Sequence, residues 1–311
     1  MNESFHEFLS DAIGEYIQYA RASFQKRMDD WDVDIFEKEV NEVVGGLLAR
    51  QLSLATTIAQ CPPAWNMHLL PVTLRCMADV YITFCWIVKD VKPRSRQFIE
   101  YGLGQEKLAI EKYRECLAAE SDPDPHAVEM IEAREQLLDA ERYRFLIPVN
   151  LGSWSDISIR EMAIEVGEKQ FYDLVFTQFS AAVHSTWQHI GLMNLYPCSN
   201  PLHMGHRVPW DPDLPPDPHT FTNSAKYLCK TFAKFDSVIL QEEGDSDAYN
   251  CYDLILGRFA AYFTGSNDED GETAPSEAKR KTVKKNSQKK IAKPKKNPKN
   301  SRKTASRKKK R

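Results

Sequence analysis

Apolar residues recur at three- and four-residue spacing along most of the chain, the period of an α-helix that buries one face. Phe5, Leu9, Ile13, Tyr16, Ile17, Ala20 and Phe24 mark the stripe of an amphipathic first helix. A second is predicted from about residue 34 to 60, with Val40, Val44, Leu48 and Ala55 inward. Gly45-Gly46 weakens it by about 1 kcal/mol per glycine relative to alanine, and Cys61-Pro62-Pro63 ends it. The next segment, from about Val72 to Lys89, leaves almost no polar face, so it is expected at the centre of the molecule.

Further helices are predicted at about 94–119, 126–145, 158–195, 222–242 and 249–264, with a break near Gly167. Ser158 and Glu161 have the spacing of a capping box at the start of one of them. The Pro- and His-rich stretch 197–219 is expected to lack regular structure. The apolar runs at 80–88 and 173–176 are β-compatible by composition but sit inside longer stretches of helical period, so no strand is expected. The predicted fold is therefore all-α: an irregular bundle of about eight helices ending near residue 265.

Charge divides the chain more sharply than its net value of −3 suggests. Residues 279–311 hold 18 Lys or Arg and no acid. Of 41 basic residues, 23 therefore remain in residues 1–278, against all 44 acidic ones. Three parts are expected: a helical domain at 1–265, an acidic linker at 266–278, and a disordered basic tail at 279–311. With Val283 and Ile291 as its only large apolar residues, the tail cannot offset its ordering entropy by burial. Lys279, Arg280, Lys281, Lys284, Lys285, Lys289, Lys290, Lys308, Lys309 and Lys310 are expected to contact phosphates of DNA or RNA without reading sequence. The tail has no interleaved aromatics to stack bases.

No stretch reaches the length of uncharged apolar residues that a membrane span needs, and the N-terminus is acidic where an export signal is basic. The seven cysteines are scattered without a C-x-x-C pair, and Cys76 and Cys85 read as small core residues. A cytoplasmic protein without a disulfide framework is expected.

The polar residues on the two most apolar helices are the candidates for chemistry. Arg75 and Asp79 lie four apart on one; Ser180, His184 and Gln188 keep the same spacing on the other, with Tyr172 two turns before Ser180. A buried ion needs a partner, so Arg75 is expected to pair with Asp79, with a carboxylate such as Glu100, or with a ligand. Arg75/Asp79 and Ser180/His184 are expected to face one another. In a catalytic reading Arg75 orients phosphate, Asp79 holds Arg75, His184 exchanges a proton and Ser180 positions it. Tyr172, Gln188 and Trp154 would contact substrate. In a structural reading the same groups form a closed polar network that fixes helix register.

The stretches carrying Arg75/Asp79, Trp154-Ser155, and Tyr172, Ser180 and His184 resemble a widespread bacterial family of unknown function. That family is marked by an Arg-x-x-x-acid step, a Trp-Ser loop and a Tyr-(x)7-Ser-x-x-x-His helix. The resemblance covers about residues 40–200 and implies a mostly helical fold without naming a reaction. A looser likeness is to the small helical ribonucleases and nucleotide-binding domains of toxin and phage-defence systems. Their Arg and His share one motif; here Arg75 and His184 come from different helices.

Cys198, His203 and His206, with His219 beyond, match no common zinc-finger spacing and read as surface groups, so no metal or cofactor is expected. Glu129, Glu132, Glu135 and Asp139 lie among Arg134, Arg142 and Arg144 and read as a solvated, ion-paired face. Two functions follow as expectations. One is a nucleic-acid-associated protein with a phosphate-binding or metal-independent, RNA-directed nuclease centre. The other is a non-catalytic scaffold whose tail binds polyanions.

Overall fold

The computed structural model describes residues 3–145, 152, 155–242 and 247–265. The body is all-α. Helix α1 spans Glu3–Asp30, α2 Lys38–Ala59, α3 Leu70–Lys89, α4 Val91–Ala118 and α5 Pro125–Phe145. The predicted helix at 158–195 is divided into α6 (Ile159–Glu165), α7 (Lys169–Phe171), α8 (Thr177–Val183) and α9 (Trp187–Met193). A π-helical segment, Tyr172–Phe176, joins α7 to α8 in one continuous rod. Helices α10 (Pro218–Phe235) and α11 (Asn250–Thr264) complete the bundle. The linker at 266–278 and the tail at 279–311 lie outside the described residues.

Helix α3 is central, as its uniformly apolar character requires. It packs against α2, α4, α6, α8 and α10, and Leu74, Met77, Phe84 and Ile87 are buried. By length and composition it is the one described helix that could cross a membrane, yet most of it is covered by neighbouring helices. Trp65 follows α2 and stacks on Phe221 of α10 with ring centroids 4.3 Å apart. Its indole N–H donates to the Ile58 carbonyl at 2.7 Å, so the α2–α3 turn is anchored to the core. The capping box at α6 forms as predicted: the Ser158 hydroxyl accepts from Glu161 N–H, and the Glu161 carboxylate accepts from Ser158 N–H at 2.7 Å.

Three expectations need correction. The Pro-rich stretch contains a small antiparallel hairpin, β1 (Leu195–Pro197) with β2 (Arg207–Pro209), in which Leu195 faces Pro209 and Pro197 faces Arg207. Each strand ends on proline, and both are edges of a two-stranded sheet, where a missing N–H is tolerated. Cys76 is exposed rather than core, because its position on α3 faces outward; Cys85 is buried as expected. Cys229 and Cys251 are also buried, with their sulfurs 3.0 Å apart. Finally, the helix at 158–195 breaks not only near Gly167, as expected, but a second time. Gly167 supplies the first break with φ of 79°, and Ser185 the second with φ of 46°.

Candidate functional site

Arg75 projects from α3 towards α8 across the Phe176 ring. Its Nε donates to Ser180 Oγ at 2.8 Å, and its Nη1 is ion-paired with Asp79 one turn along the same helix. The guanidinium lies over the Phe176 ring, 3.1 Å from its centroid. Ser180 Oγ in turn donates to the Phe176 carbonyl at 2.7 Å. The serine proton is therefore already engaged. The Arg75 side chain is 14% exposed and that of Asp79 47%, so the pair opens to solvent on the carboxylate side. Burial raises the Asp79 pKa above its ordinary value, although the Arg75 charge and hydrogen bond pull it back.

Arg75, Asp79 and Ser180 thus meet across α3 and α8, and His184 does not join them. It caps the C-terminus of α8 and is exposed. Ser180, His184 and Gln188 would share a face only on an unbroken helix. Ser185 adopts a left-handed conformation, and Thr186 starts α9 in an extended one, so the direction changes between them. Gln188 is exposed on α9. Among the described residues, no side-chain hydrogen bond or ion pair links His184 or Gln188 to Arg75, Asp79 or Ser180. Tyr172 stacks on Phe176 with centroids 4.7 Å apart, on the π segment. Trp154 lies outside the described residues; neighbouring Ser155 is buried and donates to the Ile157 carbonyl at 2.8 Å.

Sequence reasoning missed a second polar cluster. Lys230 of α10 donates to both oxygens of Glu168, at 2.7 and 2.8 Å, and Tyr81 of α3 donates to Glu168 Oε1 at 2.6 Å. Burial, with Cys85 and Glu168 nearby, holds the Tyr81 hydroxyl protonated far above its ordinary pKa. A third cluster joins Arg27 of α1 to Asp236 just past α10. Single polar residues in apolar stripes are the only trace of these clusters in the sequence. An apolar groove of about 430 Å³, lined by Val43, Leu47, Phe98, Ile99, Leu103 and Phe145, lies between α2, α4 and α5 and includes none of these polar groups.

The model of the family of unknown function DUF5677 matches residues 41–195. Residues 41–195 of the chain are similar to this family. The DUF5677 segment includes Arg75, Asp79 and Ser180, and the Tyr81 and Glu168 members of the second cluster. Lys230, which completes that cluster, comes from α10 beyond the segment. No curated protein and no solved structure matches the chain.

Proposed function

We propose that this protein is a nucleic-acid-binding scaffold: a cytoplasmic helical body that carries a basic tail, with the Arg75 network holding α3 to α8 rather than performing chemistry. The carrying observation is the segregation of charge. Eighteen basic residues and no acid occupy 279–311, while residues 1–278 are strongly acidic. The acidic body repels phosphate, so counterion release on binding is concentrated in the tail. In favour of a non-catalytic centre, Arg75 is engaged by Asp79, Ser180 and Phe176, and the only histidine of the expected set is exposed at a helix end. The seven free cysteines suit a reducing compartment.

Fluorescence anisotropy on labelled single-stranded RNA and duplex DNA tests this reading. The full chain should bind both with an affinity that falls steeply as salt rises, by about 0.9 log units per log unit of salt for each duplex phosphate neutralised. Removing residues 279–311 should abolish most of that binding. Unchanged affinity after the deletion overturns the proposal. So does RNA cleavage by the full chain that is lost in folded Arg75→Ala or His184→Ala.

A further inference from the structure

We propose that Cys198, His203 and His206 bind one zinc ion at the tip of the β1–β2 hairpin. One ligand atom from each residue lies within 4.8 Å of the other two. Cys198 Sγ is 3.7 Å from His203 Nδ1. Tetrahedral zinc with Zn–S of about 2.3 Å and Zn–N of about 2.0–2.1 Å places sulfur and nitrogen ligands about 3.5 Å apart. The sulfur and the first nitrogen are already close to that separation, and the His206 ligand atom, within 4.8 Å of both, moves in to complete the site.

The hairpin explains why residues five and eight positions from the cysteine converge. Cys198 N–H donates to the His206 carbonyl at 3.0 Å, which extends the pairing beyond Pro197 and Arg207. Between them the chain folds back through two short turns, His203 N–H to the Asn200 carbonyl and His206 N–H to the His203 carbonyl, both 3.0 Å. Gly205, with φ of 76°, makes the second reversal possible. The imidazole centroids of His203 and His206 then lie 5.6 Å apart. The linear C-x4-H-x2-H spacing matches no common finger, and the grouping appears only once the hairpin is formed.

One thiolate and two imidazoles form a borderline-soft donor set that favours zinc over magnesium or calcium. Both histidines are exposed, so water completes the tetrahedron. Binding through Nδ1 releases the Cys198 thiol proton and leaves the His203 proton on Nε2. The Asn200 amide nitrogen, 3.2 Å from Nε2, must then turn away.

The test uses the full chain, stripped with a chelator and titrated with cobalt(II), then with zinc(II). One equivalent of cobalt should produce a thiolate-to-cobalt charge-transfer band, and zinc should displace it. Cys198→Ser, and separately His203→Ala combined with His206→Ala, should lose the band with unchanged far-ultraviolet circular dichroism. Cys116→Ser, which alters an exposed thiol elsewhere, should retain it. The absence of a stoichiometric band in the unaltered chain overturns the proposal, as does a band that survives Cys198→Ser or disappears in Cys116→Ser.

Discussion

Arg27 and Asp236, 209 positions apart in sequence, form a two-pronged ion pair inside the protein. Arg27 Nε donates to Oδ1 at 2.8 Å and Nη2 to Oδ2 at 2.6 Å, with both side chains almost wholly buried. Arg27 also donates to the Ser23 carbonyl and to Asp247, and its guanidinium lies over Phe232. The first helix is thus tied to the end of α10.

Breaking this pair should be costly. Arg27→Ala leaves the Asp236 carboxylate buried without its partner, a change worth about 3–5 kcal/mol. Replacing both partners, as Arg27→Met with Asp236→Leu, should recover most of the loss, because no buried charge remains. Urea unfolding of the parent and these two variants checks this. An Arg27→Ala loss below about 1 kcal/mol would show that the pair contributes little.

The Arg75–Ser180 contact should behave as a structural bond. Arg75→Ala is expected to cost about 1–3 kcal/mol and Ser180→Ala about 0.5–1.5 kcal/mol, with a non-additive double mutant because the two side chains touch. His184→Ala, at an exposed position, should stay within about 0.5 kcal/mol of the parent. Thermal melts of all four variants decide it. A large loss at His184 together with none at Arg75 would reverse the assignment.

Glu165 provides a pH-dependent test. Arg94 Nη2 and Trp86 Nε1 each donate to its carboxylate at 2.8 Å, and these bonds, with help from Lys89, depress its pKa to about 2. A carboxyl whose folded pKa is depressed stabilises the protein fully above its unfolded value of about 4.3 and progressively less as pH falls towards the folded one. The stability gap between the parent and Glu165→Gln should therefore be present at neutral pH, narrow below about 4.3 and vanish below about 2. Chemical denaturation across that range measures it, and a gap that ignores pH would remove Glu165 from the account.

Long periodic segments were the readable part of this chain. The α1, α2, α3, α4, α5 and α11 helices lie close to where apolar spacing puts them, because each buries one stripe or, for α3, most of its surface. Arg75 with Asp79 was legible because both sit four apart on a helix with nowhere else to place a charge. That Ser180 faces this pair was expected from its own place on an apolar helix; the bond from Arg75 was not. Gln188 is displaced because the four-residue step assumes a continuous helix; His184 still follows Ser180 by one turn but sits exposed at the end of α8. Ser185-Thr186, a turn residue followed by a helix-starting one, carried the contrary signal. Lys230–Glu168–Tyr81 and Arg27–Asp236 were not legible, since their members meet only through tertiary packing of distant segments. The Cys198–His206 grouping depends on a hairpin whose strands are three residues each and end in proline.

The π segment at Tyr172–Phe176 sets the angular phase of everything after it on the rod. One extra residue is accommodated in that turn, and the downstream face is turned by about 100° relative to a regular α-helix. Winding the same residues at ordinary pitch would swing Ser180 away from Arg75, whereas excising one residue would remove the surplus and leave Ser180 on the same face. The wide turn thus lets the chain carry one more residue ahead of Ser180 than a regular helix would, while Ser180 stays opposite Arg75.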